Sequence, residues 1–256
     1  MKRQLLCIMI ALCSATAFAG EKVVLLGDDD YAPYSYVENG QFKGMYVELL
    51  NKASELLKPA YEVELKPRPW KRSLADLENG TAFALFPPGM KKERPYIAPY
   101  SVVLYTETVV LFCNSDVMKT SRKKFPEDFN GLTIGVNAGF LLSGRLISAA
   151  NAGKISLSEA KGNEANLKKL ALKRIACYAT DRGAAFYTAR KLQSDPDLTN
   201  FKLQEALELS GEDTFIGYSI HSNPPYKTDF IEKMNAAIET IKRNGTLAKI
   251  ESAYLK

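Results

Sequence analysis

Residues 27–50 read GDDDYAPYSYVENGQFKGMYVELL, and the fold is decided here. Val23–Leu26, just before it, is a short apolar run of the length of one buried strand. Gly27 and the three aspartates that follow end that strand. Pro33 fixes its own φ and pushes Ala32 out of the helical region, so Tyr31-Ala32-Pro33-Tyr34 reads as an extended loop carrying two aromatic rings. Asn39-Gly40 supports a tight turn. Beyond Gly44, residues Tyr46, Leu49, Leu50, Ala53 and Leu57 recur at helical spacing, with Pro59 past the end. The unit is strand, acidic-aromatic loop, turn, amphipathic helix. Read from these residues alone, Tyr31 and Tyr34 equally cap a core and the aspartates form a solvated turn.

Upstream, Lys2 and Arg3 precede the apolar run Leu5–Leu12, which is too short to span a bilayer. Ala17-Phe18-Ala19 places small residues at both cleavage positions, so residues 1–19 read as a secretory signal peptide and the mature chain is expected to start at Gly20. Leu12 stands before Cys13 where a lipidation motif needs Gly or Ala, which argues against a lipid anchor. The mature chain is expected to be a soluble periplasmic monomer.

The formal net charge of +5 falls by two when Lys2 and Arg3 are removed, and the remaining basic residues are scattered. No basic stripe with interleaved aromatics is present, which excludes nucleic acid as the expected partner. The chain has one histidine and four cysteines. With Cys7 and Cys13 in the leader, Cys113 and Cys177 remain, both in apolar strand-like segments. An oxidising compartment permits a bridge between them; buried free thiols are the favoured reading. No metal or cofactor motif is present.

Downstream, strand-like and helix-like runs alternate, as in βα units around a mostly parallel sheet. Tyr61-Val63-Leu65 alternate, Trp70, Leu74 and Leu77 share a helix face, and Ala82–Phe86 is apolar before Pro87-Pro88-Gly89 breaks it. Val102–Phe112 is a long β-rich run suited to crossing between lobes. A second set then begins with Thr133–Val136. It continues through a helix at 143–152, a strand at Ile155–Leu157, a helix around Leu167–Ala171 and a strand at Ile175–Ala179. Asp181 opens the next helix, Phe215–Ile220 reads as the return crossing, and two helices close the chain. This order predicts two α/β lobes joined by a two-strand hinge, lobe 1 from 20–106 and 219–256 and lobe 2 from 107–218. Ligand sites in such sheets lie beyond the carboxyl ends of the strands, between the lobes.

The opening stretch resembles that of the family 3 extracellular solute-binding proteins: a strand, G-[TD]-D, three residues, [PA]-P-[FY], then N-G-x-x-x-G and an amphipathic helix. The resemblance covers essentially the whole mature chain. It implies the type II periplasmic binding protein fold and a receptor that hands an amino-acid-like ligand to an ABC permease of the inner membrane. It also implies that Asp28 and Tyr31 line the cleft. A family motif G/S-x-[TS]-x-x-R falls on Gly89-Met90-Lys91-Lys92-Glu93-Arg94, which implies that Gly89 lines the cleft and that Arg94 binds an α-carboxylate. A guanidinium fork suits that task, although an arginine in KKERP also reads as surface.

R-I-D-A-x-x-x-D falls on Arg174–Asp181, matching its first and last positions, and implies that Asp181 binds the ligand ammonium; an aspartate at this place also serves as a helix N-cap. Trp70, the only tryptophan, is expected to face Tyr31 across the ligand and offer a cation-π surface, or else to staple its helix start. Arg72, two residues on, resembles the W-x-R of a less characterised branch.

Two departures stand out. Pro87 and Pro88 have no N–H to offer a ligand, and the second-lobe Gly-Thr-Thr is replaced by Gly139-Phe140-Leu141, which puts Phe140 in the cleft. These changes favour a bulkier or more apolar ligand than a small polar amino acid. Two other classes fit the same resemblance: a receptor feeding a membrane sensor, and a cyclohexadienyl dehydratase-like enzyme. The residues show no nucleophile–base set for the latter, and a non-enzymatic receptor is the reading taken.

Overall fold

The computed structural model describes residues 20–140, 143–195, 198 and 201–255; the leader and Leu141 lie outside the described residues. The chain opens with β1 (Glu21–Asp28), whose interior positions are buried on both faces, as expected of a central parallel strand. Next comes a small antiparallel sheet, β2 (Asp30–Tyr31), β3 (Ser35–Glu38) and β4 (Gln41–Lys43). The stretch read as a loop is therefore a pair of short hairpins. Asn39 and Gly40 both take positive φ, 53° and 75°, which is the two-residue turn that matches strand twist.

Helix α1 (Met45–Glu55) follows at once. Its junction residue Gly44 has φ 128°, and a Cβ there would lie 2.4 Å from the Tyr34 carbonyl oxygen. Only glycine permits this close entry. Met45, Tyr46, Leu49, Leu50 and Ala53 are fully buried, each large apolar side chain contributing roughly 1.5–3 kcal/mol. β5 (Tyr61–Arg68), α2 (Trp70–Glu78), β6 (Ala84–Phe86) and β7 (Ile97–Tyr100) complete the outgoing half of lobe 1.

β8 (Tyr105–Cys113) carries the chain into the second sheet. There β9 (Thr133–Asn137), α3 (Gly144–Asn151), β10 (Ser156–Ala160), α4 (Gly162–Ala171), β11 (Cys177–Asp181) and α5 (Arg182–Lys191) follow. β12 (Glu205–Thr214) runs back to β13 (Gly217–Ser219), and α6 (Lys227–Arg243) and α7 (Thr246–Leu255) return to pack beside α1. The two main sheets have the orders β5-β1-β6-β13-β7 and β10-β9-β11-β8-β12. The fold is the expected one: two α/β lobes joined by two crossing segments.

β12 is the longest element that the sequence reading missed. It pairs antiparallel with β8 over ten residues, but it is an edge strand with Glu205, Glu208, Glu212 and Asp213 along it and two register shifts. Its hydrophobic alternation is therefore broken. The chain changes sheet between Tyr100 and Tyr105 and again between Thr214 and Gly217. Ser101 N donates to Ile216 O (2.9 Å) and Leu104 N to Thr214 O (2.7 Å), zipping the two crossings together.

Cys113 and Cys177 are bonded as a disulfide, which corrects the free-thiol reading. They stand directly opposite in the antiparallel β8–β11 register. Both face the core of Val109, Leu111, Ile134 and Val136. Pairing of neighbouring strands brings their Cα atoms to 4.0 Å, information that spacing along the chain does not carry.

Candidate functional site

The expected cleft residues converge where the two lobes meet. Asp28 ends the parallel strand β1, Tyr31 sits in β2, and Trp70 starts α2. Gly89 and Arg94 lie on the segment between β6 and β7, and Phe140 follows β9 in lobe 2. Each stands near the carboxyl end of a parallel strand or on the segment leaving it, where α/β sheets hold ligands.

Tyr31 and Trp70 are both in contact with one protein ring, that of Phe140. The centroid of Phe140 is 4.9 Å from that of Tyr31, with planes at 78°, and 5.6 Å from that of Trp70, with planes at 63°. Both are edge-to-face contacts, the arrangement that ring quadrupoles favour. The carbonyl oxygen of neighbouring Gly139 accepts from Arg94 Nη2 at 2.6 Å and from Trp70 Nε1 at 3.3 Å. Lobe 2 thus presents an oxygen to Arg94 and an aromatic ring to the Tyr31–Trp70 pair.

Phe140 and Trp70 form walls of two cavities. The larger, about 210 Å³, is also bounded by Asp28, Asp30, Lys71 and Lys161. The smaller, about 40 Å³, is bounded by Tyr31, Gly89, Arg94 and Glu107 together with the Lys91–Glu212 ion pair (2.7 Å). Pro87 lines it too and offers no N–H, as its chemistry requires. Arg94 is 5% exposed. Burial lowers its pKa, and its guanidinium carbon lies 5.6 Å from the Trp70 ring centroid. Among the described residues it has no carboxylate within ion-pair distance. Arg72 is exposed and takes no part.

Three buried carboxyls surround this region. Asp28 accepts from Asp30 N at 3.0 Å, and burial pushes its carboxyl up to about 7. Asp181 caps α5: Oδ1 accepts from Ala184 N (2.8 Å) and from Tyr34 OH (2.6 Å), while Oδ2 accepts from Thr108 N (2.9 Å). It bounds neither cavity, and Tyr34, stacked on Tyr46 at 5.1 Å, covers it. Desolvation raises its pKa despite these donors.

Glu107, on β8, was missed. It is fully buried, with Oε2 accepting from Tyr31 OH (2.6 Å) and Oε1 from Tyr46 OH (2.7 Å). Burial first, then the Asp181 charge, push its carboxyl up to about 8. Its only trace in the sequence is a lone acid inside the apolar run YTETVVLFC, a place where a strand either leaves an edge exposed or buries a functional charge. No group of three or more candidate metal ligands occurs among the described residues.

Comparison with known proteins agrees with this architecture. The model of a family described as bacterial extracellular solute-binding proteins, family 3, matches residues 23–256. Among solved structures, a mutant of ArgBP from T. maritima superposes with a TM-score of 0.71 at 18% identity, covering 91% of this chain and 94% of that one. An ancestral arginine-binding protein bound to arginine gives 0.74 at 18% identity over 93% and 100%. A histidine kinase sensor domain with similarity to periplasmic binding proteins gives 0.75 at 17% identity over 93% and 97%. At these identities the likeness is one of fold. No curated protein sequence matches the chain.

Proposed function

The chain belongs to the bacterial extracellular solute-binding proteins of family 3, and from that premise we propose that it is a periplasmic receptor that closes its two lobes on an amino acid or related organic ion and delivers it to an ABC transporter permease. The observation that carries this reading is Arg94: a buried guanidinium on a cavity wall between the lobes, with no carboxylate partner among the described residues. Burying a charge without a counter-charge is costly, and a ligand carboxylate supplies one. Asp28, Tyr31, Trp70, Gly89 and Phe140 form the surrounding walls.

Binding needs no catalytic group. A micromolar Kd corresponds to about −8 kcal/mol, within reach of charge-assisted hydrogen bonds of roughly 1.5–3 kcal/mol each plus apolar contact. No helix among the described residues is long and apolar enough to cross a membrane.

The test is a thermal-shift screen of residues 20–256 against the twenty L-amino acids, with calorimetry on each compound that raises Tm. A ligand at 100 times Kd stabilises by roughly 2.7 kcal/mol. Saturable binding without turnover is the expected result; no stabilisation by any of the twenty overturns the amino-acid reading. Loss of uptake of the bound compound on deletion of the gene checks delivery to a permease.

A further inference from the structure

The smaller cavity is bounded by one buried cation and one buried carboxyl, Arg94 and Glu107, and neither has an ion-pair partner of opposite sign among the described residues. Of the other charged groups on its wall, Lys91 and Glu212 pair with each other, and Asp213 is exposed and accepts from Thr106 Oγ1 at 2.6 Å. Glu107 also faces Glu212 directly across the β8–β12 ladder, a like-charge placement that disfavours two ionised carboxylates. Among the described residues its hydrogen-bond donors are two neutral phenols, Tyr31 and Tyr46. A carboxylate accepts at about four lone-pair sites, so two phenols leave it capacity for a further donor. Of the other two buried acids, Asp28 bounds only the larger cavity, and Asp181 has Tyr34, Thr108 and Ala184 as donors and bounds neither.

We propose that Glu107, not Asp181, receives the cationic nitrogen of the ligand, so that Arg94 and Glu107 on the wall of one cavity select a zwitterion. This rests on the reading of the site as an amino-acid receptor and deepens it. Glu107 comes from the first hinge strand and Arg94 from lobe 1, so the α-carbon of the ligand sits beside the hinge. Tyr31 then has two tasks: its ring bounds the cavity and its hydroxyl orients Glu107. Asp181 becomes a positioning residue that caps α5 and ties Tyr34 to lobe 2.

The charge has a second consequence. Tyr31, Tyr46, Asp181 and Glu212 face Glu107 from β2, α1, β11 and β12, and Arg94 and Lys91 share its cavity. Burial holds its carboxyl at about 8 in the ligand-free protein, so it is mostly protonated at pH 7. A cation placed against it favours the ionised form, so binding releases up to one proton.

The experiment uses residues 20–256 and three matched sets of probes. They are L-phenylalanine, 3-phenylpropionate and phenethylamine; L-leucine, 4-methylpentanoate and isoamylamine; and L-arginine, 5-guanidinopentanoate and agmatine. Each is titrated calorimetrically into the wild type, Glu107→Gln, Glu107→Asp and Asp181→Asn. We expect Glu107→Gln to weaken an amino acid at least 30-fold while its deaminated acid changes less than threefold. Glu107→Asp should retain the preference for the amine, and Asp181→Asn should leave the ratio unchanged.

Wild-type titrations at pH 7 in buffers of different ionisation enthalpy should show proton release, absent in Glu107→Gln. This measurement stands if the variants do not fold, and zero release by the wild type overturns the proposal. Equal weakening of both probes in Glu107→Gln, or a selective loss of amine recognition in Asp181→Asn, also overturns it. Binding of amines alone, lost in Glu107→Gln, keeps Glu107 in its role while the amino-acid reading fails. Binding of deaminated acids alone refutes Glu107 and leaves Arg94 in place.

Discussion

Arg94 is held by little besides one hydrogen bond to Gly139 O and the Trp70 face. Losing these costs the fold about 1–2 kcal/mol. Losing the guanidinium while a ligand carboxylate is enclosed costs about 2–5 kcal/mol, or roughly 30-fold or more in Kd. Arg94→Ala is therefore expected to weaken the amino acid found by thermal shift at least 30-fold, with the ligand-free melt within a few degrees of wild type. Unchanged affinity by calorimetry would show that the carboxylate lies elsewhere.

The buried carboxyls set a pH dependence whose sign is unusual for acids. Asp28 and Glu107 are raised from 3.8 and 4.5 to about 7 and 8. The folded protein therefore holds protons that the unfolded chain has released. Stability is highest below the unfolded pKa and falls as pH rises from about 4.5 through 8, by at most about 1.4 kcal/mol per pH unit for each group. Melts at pH 5, 6, 7 and 8 in matched ionic strength should show Tm falling, and Glu107→Gln should flatten the fall. A wild-type Tm that climbs over this range contradicts the assignment.

At the scale of elements, β8 organises lobe 2 by its period of two. Val109, Leu111 and Cys113 face one core, while Val110 and Phe112 face the other, beneath α4 and α5. Glu107, on the same strand nearer the hinge, turns toward the tyrosines of lobe 1. The Cys113–Cys177 bridge joins β8 to β11 and closes a loop of 64 residues. Removing it frees that loop in the unfolded chain, a loss of roughly 2–4 kcal/mol of stability. The Cys113→Ser/Cys177→Ser double variant should melt several degrees lower in denaturant or heat, with ligand affinity kept because neither sulfur bounds either of the two cavities between the lobes. An unchanged melt would mean that the bridge adds nothing to lobe 2.

For the molecule as a whole, the lobes touch through side chains that a hinge motion must part. Asn163 Nδ2 donates to Ala32 O at 3.0 Å, Lys161 pairs with Asp29 at 3.3 Å, and the hydroxyls of Tyr36 and Tyr187 meet at 2.9 Å. Glu38 is paired with Lys191 across the same gap. These are polar and partly exposed, of the kind that contributes little net, so a ligand of micromolar affinity can outweigh them. Trp70 is the sole tryptophan and contacts Gly139 and Phe140 of the opposite lobe. Its emission should therefore shift when a stabilising amino acid is added. A ligand proven by calorimetry that leaves the emission unaltered would place Trp70 outside the moving contact.

Local chemistry determined much of this protein in advance. Periodicity and turn residues located α1, α2, the β1 strand and the second βα set, because helix faces and buried strands leave a repeat within ten residues. The same stretch carried the motif that gives the family. Pro87 and Pro88 announced the missing N–H donors, since that absence is covalent. Pairing across the chain stayed hidden. β12 has too many acids to look like a strand until β8 lies beside it, and the cysteines are neighbours only through the β8–β11 register. The hydrogen bonds that occupy Asp181 come from Tyr34 and Thr108, far from it in sequence, and only the folded chain shows them. Phe140 reads as a departure from a motif; only the folded chain shows its ring against both Tyr31 and Trp70. Glu107 is the clearest case: one acid in an apolar strand acquires its cavity, its phenols and its displaced pKa only when the two lobes are brought together.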